Sequence, residues 1–124
     1  MESNRRVIAI KGNRRILLAV SEVVVAESAG NTVWLRTDLG RFRCAVRGLG
    51  NIAGQFSECG FMRVHRSYLV NLSRVREVER RDSGELELTV DDNGTTIPVS
   101  RSRAKVVAAA LGVGEILPPR TLAT

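Results

Sequence analysis

The first half of this chain is a series of short β-branched or apolar runs, each ended by a turn signal, and that punctuation leaves little room for a long helix. Val7 to Lys11 and Arg15 to Val20 are separated by Gly12 and Asn13, the spacing of a tight hairpin. Ser21 opens a short turn. Val23 to Glu27 and Thr32 to Arg36 flank Ser28-Ala29-Gly30-Asn31, where the Gly-Asn pair suits positive φ, and Arg41 to Ala45 follows Asp38-Leu39-Gly40.

The second half continues in the same style. Met62 to Val64, Tyr68 to Leu72, Val75 to Arg80 and Glu85 to Val90 read as strands. In the last of these Leu86, Leu88 and Val90 face inward, with Glu85, Glu87 and Thr89 outward. Asp92-Asn93-Gly94 closes a hairpin to Thr95 to Val99. Val75 and Val78 are three apart, which predicts a bulge or a register shift there.

Two helices are expected. Leu49, Ile52, Ala53 and Phe56 share one face of a segment that Gly50 and Gly54 weaken. Ser100 is placed to N-cap a helix from about Arg101 to Leu111, with Ala104, Val107, Ala108 and Leu111 as its apolar stripe and Gly112 as its stop. The expected class is therefore mainly β: small antiparallel sheets with one or two short helices. At 124 residues it is one domain, expected over 7–112, with tails at 1–6 and 113–124; Pro118 and Pro119 lie in the second.

Charge indicates the partner. The net charge is +6 and the pI about 10.6, which draws the chain towards polyanions. The cations are 17 Arg against two Lys, a ratio that suits forked recognition of phosphate or guanine but is equally explained by genome composition. Arg63, Arg66, Arg101 and Arg103 interrupt apolar runs, and burying an unpaired guanidinium is costly, so all four are expected to reach solvent or an anion. Asp82 to Asp92 holds five acids and no base, so that acidic hairpin face is expected to point away from nucleic acid. Cations at the start of the second helix oppose its dipole, and a bound phosphate would reverse the sign of that interaction.

Other functions find less support. His65 has no carboxylate or nucleophile partner at a diagnostic spacing, and Ser67 and Ser100 lack a Gly-x-Ser-x-Gly context. No glycine-rich phosphate loop is present, so a non-enzymatic chain is expected. Cys44 and Cys59 with a single histidine cannot build a four-ligand zinc site; both are expected to be small buried hydrophobes, and no metal or cofactor is expected. Basic residues are spread through the first twenty positions and no apolar stretch reaches the ~20 residues of a membrane span, so a cytoplasmic protein with no membrane partner is expected. Trp34 and Tyr68 could stack on bases in an RNA binder, although most of the five aromatics are expected to be needed for the core. Arg74, Arg76, Arg80 and Arg81 read as a solvated strand face paired with Glu77 and Glu79.

Arg63-Val64-His65-Arg66-Ser67-Tyr68-Leu69-Val70-Asn71-Leu72, then Gly84, Gly94 and Ile97-Pro98-Val99-Ser100-Arg101-Ser102, closely resemble the LytTR family of bacterial DNA-binding domains. The likeness extends upstream through Glu27-Ser28-Ala29-Gly30-Asn31 and covers about Val7 to Leu111. It implies binding of double-stranded DNA by loops that enter successive major grooves, commonly as paired domains on a direct repeat, and thus a homodimer formed on DNA. Carried over by position, Asn31, Thr32 and Val33 fall in one major groove, and Arg66, beside His65 and Ser67, on the central stretch. Arg101 falls on the base-reading Arg of the other groove. Ser67, Ser102, Arg103 and Lys105 can hold phosphates.

Thr32, Val33 and Trp34 stand where relatives often have a longer polar or basic side chain, so Asn31 or Arg36 is the alternative reader there. Relatives usually carry an amino-terminal receiver or other sensor domain. Six residues precede Val7, so the expectation is a stand-alone, response-regulator-like transcription regulator with a separate sensor or regulatory protein as a partner, the alternative being a chain that lacks its regulatory portion. The competing reading is a basic β domain that binds RNA or an acidic protein without catalysis.

Overall fold

The computed structural model describes residues 5–90 and 94–113. Ten strands and two helices follow in the order β1 (Arg6–Lys11), β2 (Arg14–Ala19), β3 (Val23–Ala29), β4 (Thr32–Thr37), β5 (Gly40–Cys44), α1 (Leu49–Ser57), β6 (Phe61–His65), β7 (Tyr68–Asn71), β8 (Val75–Arg80), β9 (Leu86–Val90), β10 (Thr95–Val99) and α2 (Ala104–Leu111). A seven-stranded sheet runs β2-β1-β5-β4-β3-β7-β6, and a three-stranded sheet runs β10-β9-β8. Every pairing is antiparallel.

Local chemistry sets most of the boundaries. Gly12 at φ 61° and Gly30 at φ 64° occupy two-residue turns, which need the left-handed backbone that glycine adopts without strain. The four-residue Ser28–Asn31 loop expected from the sequence is shorter, because β3 runs on to Ala29 and pairs it with Thr32. The β8–β9 register shifts between Val75 and Glu77, so a bulge accounts for the three-residue spacing of Val75 and Val78. Antiparallel pairing of β9 with β10 agrees with a hairpin, although Asp92 and Asn93 of its expected turn lie outside the described residues, as do Pro118 and Pro119.

The large sheet is covered on both faces, but at different places. Val7, Ala9, Leu18, Val33, Leu35 and Cys44 point to one face and pack with Leu49, Ile52 and Phe56 of α1. The ring of Phe56 meets that of Phe61 edge-on at 4.8 Å. Val24, Val25, Val64 and Val70 turn to the opposite face, where Leu86, Leu88, Val90, Ile97 and Val99 of the small sheet meet them together with Val107 and Ala108 of α2. Each fully buried aliphatic side chain contributes about 1.5–3 kcal/mol. The guanidinium of Arg36 donates to Thr95 Oγ1 at 3.0 Å and joins the sheets.

Asn71 is the buried polar side chain among the described residues. Its amide donates to Val23 O at 3.0 Å, and its oxygen accepts from Ser73 N and Oγ, so β7 is tied to β3 before the chain enters the small sheet.

The second helix differs from its expected form. Arg101–Arg103 make a 3₁₀ turn, and the α-helix starts at Ala104. Ser100 does not cap through its side chain. Its backbone is extended, and its hydroxyl instead accepts a long 3.4 Å contact from Arg103. Gly112, at φ 75°, ends α2 with Val113 N–H bonded to Ala108 O.

Candidate nucleic-acid interface

Three segments carry the candidate contact residues, and backbone hydrogen bonds join them. The first is the β3–β4 turn, which exposes Asn31 beside a half-buried Thr32. Val33 is 1 % exposed and belongs to the core, so its side chain does not belong to this surface. Arg36, the alternative reader, lies at the far end of β4 with its guanidinium engaged by Thr95, and it does not reach the turn.

The second segment is the two-residue β6–β7 turn of Arg66 and Ser67. Its conformation is held from within. Arg63 donates through Nε to His65 O at 3.2 Å and through a terminal nitrogen to Arg66 O at 2.6 Å. The sequence places Arg63 among guanidiniums that reach solvent or an anion; in the structure it is half-buried and finds carbonyl oxygens. Charged donors to carbonyls are strong hydrogen bonds, so Arg63 acts as a brace. Ser67 N–H donates to His65 Nδ1 at 3.1 Å, and the imidazole meets Tyr68 edge-on at 5.4 Å. With Arg63 turned inward, Arg66 is the exposed cation of this turn.

The third segment is Ser100 to Lys105. Arg101, Ser102 and Lys105 are exposed and Arg103 is half-buried. The link to the second segment is Ser100 N–H to Val64 O at 2.9 Å; the link from the first to the second is Ser28 N–H to Ser67 O, also 2.9 Å. The β6–β7 hairpin is thus the hub: its turn presents Arg66, and the segments that present Asn31 and Arg101 are bonded to it. Val64 itself is 0 % exposed, so the hub rests on the second core.

The acidic hairpin does not turn wholly away from these cations. Glu85 Oε2 lies 3.7 Å from a terminal nitrogen of Arg101, with side chains 48 % and 79 % exposed. The strand register accounts for this pair: Leu86↔Val99 extended by one residue sets Glu85 opposite Ser100, next to Arg101. Arg81 pairs with Glu87, which raises the guanidinium pKa further above its already high range, and Arg74 pairs with Asp38. These two arginines therefore take acids other than the expected Glu77 and Glu79 as their ion-pair partners.

Trp34, a candidate for base stacking, has the Arg41 guanidinium over its ring at 4.3 Å. Tyr68 packs against the second core. Cys44 is buried, which pushes its thiol pKa up, Cys59 is half-buried, and neither forms a disulfide. Among the described residues no helix is long and apolar enough to cross a membrane, and no group of three or more His, Cys, Asp or Glu could hold a metal ion.

A mainly β domain that sets Arg66 and Arg101 exposed on neighbouring, backbone-bonded segments offers a basic surface for a polyanion. The LytTr DNA-binding domain family matches residues 13–112, and the chain belongs to that family. It is 33 % identical over 107 residues to the transcriptional regulatory protein BtsR of Escherichia coli, covering 86 % of this chain and 43 % of that protein. It is 31 % identical over 115 residues to the heme-containing CO-sensing transcriptional regulator RcoM 1 of Paraburkholderia xenovorans, covering 90 % and 42 %. The chain therefore spans less than half the length of these relatives. The fold is that of a solved LytTr DNA-binding domain from Bacillus cereus, with a TM-score of 0.77, 22 % identity, and coverage of 86 % of this chain and 96 % of that one.

Proposed function

We propose that this chain is a sequence-specific, double-stranded DNA-binding transcriptional regulator, non-catalytic, that contacts the major grooves through its loops. The observation that carries the reading is the β6–β7 hairpin: Ser67 of its turn is bonded to Ser28 of β3 on one side, and Val64 of its first strand to Ser100, next to Arg101, on the other. Positions held in this way can meet a regular duplex in register, which flexible side chains on separate loops would do only at an entropic cost.

Roles follow from exposure and chemistry. Arg101, 79 % exposed, can pair bidentately with guanine N7 and O6, a contact worth about 1–3 kcal/mol of discrimination. Asn31, exposed at the tip of its turn, can pair with adenine N6 and N7 in the neighbouring groove. Arg66 with Ser67 takes the intervening backbone, and Ser102, Arg103 and Lys105 take phosphates. His65 shapes the turn through Ser67, and Val33 takes no part through its side chain. Two copies are expected on direct-repeat sites.

The test is selection of bound duplexes from a randomised DNA pool near physiological salt. Two short half-sites about one helical turn apart are expected. Recovery of unrelated duplexes with equal, steeply salt-dependent affinity would instead favour a basic domain that binds polyanions without reading them.

A further inference from the structure

The small sheet covers only part of one face of the large sheet. Its cover reaches β4, where Arg36 meets Thr95, and the strands that supply the second core are β3, β6 and β7. Beyond β4 the same face continues over β5, β1 and β2. There Ile8 and Leu17 stand directly opposite each other, 46 % and 58 % exposed, with Ile10 beside them.

This apolar strip is bordered by cations. Arg15 and Arg43 both pair in register with Ile10, from either side, and Arg41 lies over Trp34 at 4.3 Å. Among the described residues none of these three guanidiniums has an acidic partner. Glu27, opposite Trp34, marks the border with the covered half. Strand β2 is also a sheet edge, and its Ile16-Leu17-Leu18 run has no charge of its own, a pattern that proteins usually blunt or cover.

We infer that this uncovered half-face docks an acidic protein, one whose exposed apolar side chains are ringed by Asp and Glu. Charge complementarity selects that occupant. A second copy of this chain set face to face would bring Arg15, Arg41 and Arg43 against the same residues. DNA would satisfy the cations but leave the Ile8–Leu17 pair with nothing apolar to meet. The inference stands apart from the DNA reading, because these strands contribute none of the candidate DNA contacts.

The experiment is a titration of the whole chain, followed residue by residue through its backbone amides by NMR. The probes are a Leu/Glu amphipathic helical peptide, an all-Glu peptide of equal length, a Leu/Lys counterpart and duplex DNA. The Leu/Glu peptide is expected to shift amides of β1, β2 and β5, and the other two peptides are not. Leu17→Ser combined with Arg43→Glu is expected to weaken that binding at least tenfold and to leave duplex affinity within about twofold. Three results would overturn the inference: duplex DNA shifting these strands, concentration-dependent self-association abolished by Leu17→Ser, or no peptide preference at all.

Discussion

Ser100 donates its backbone N–H to the carbonyl of Val64 at 2.9 Å, so the segment that presents Arg101 is fastened to the strand that leads into the Arg66 turn. Ser100 has φ −68°, the value proline requires, and Val99 before it lies in a strand. Ser100→Pro therefore deletes the donor at a position whose backbone already suits the ring. It is expected to cost about 1–3 kcal/mol of stability, from the unpaired Val64 carbonyl, and to lower specific DNA affinity more than nonspecific affinity. Ser100→Ala keeps the N–H and is expected to stay close to wild type in both. Denaturant unfolding and duplex titrations measure the two effects; equal behaviour of the variants would mean that the fastening has no functional consequence.

Arg63 holds the β6–β7 turn through two carbonyls and presents no charge to solvent comparable to that of Arg66. Arg63→Met keeps the apolar stem and removes the donors. The expected cost is about 1.5–3 kcal/mol, with faster amide hydrogen exchange at Arg66 and Ser67 and a matching fall in affinity for every sequence. A change in sequence preference without a change in exchange would make Arg63 a reader of bases.

Glu85 contests Arg101 at 3.7 Å while both are largely exposed, so the pair adds little to stability. Glu85→Gln removes a negative charge beside Arg101, at the proposed DNA contact. Stability is expected to stay within about 0.5 kcal/mol, and DNA affinity to rise about two- to fivefold at low salt, with the gain shrinking as salt increases. Affinity titrations over a salt series read this directly. A loss of affinity would show that Glu85 aims Arg101 or accepts from a base.

Most strands were legible because their cause is local: Gly12-Asn13 and Gly30-Asn31 close two-residue hairpins, and Leu86, Leu88 and Val90 alternate inward. The order of the large sheet was not, since β1 pairs with β5 and β3 with β7 through contacts distant in sequence, which local propensity does not encode. The same limit explains the site. Exposure of Arg101 and Arg66 could be argued from the cost of burying a guanidinium, but the inward turn of Arg63 depends on the carbonyls of His65 and Arg66, which follow a register shift between Arg63 and His65. Val33 was grouped with Asn31 through the family resemblance, whereas the period-2 alternation of β4 sends it to the core with Leu35. Ser100 looked like a cap by residue type, whereas its backbone bond to Val64 is what positions the following turn.

The measurement closest to the central claim compares wild type with Arg101→Ala on a selected duplex and on a scrambled duplex of equal length, at matched salt. The account predicts a loss of about 1–3 kcal/mol on the selected duplex, with a much smaller loss on the scrambled one, because Arg101 reads a base. Equal losses on the two duplexes would contradict it and reduce Arg101 to a phosphate contact.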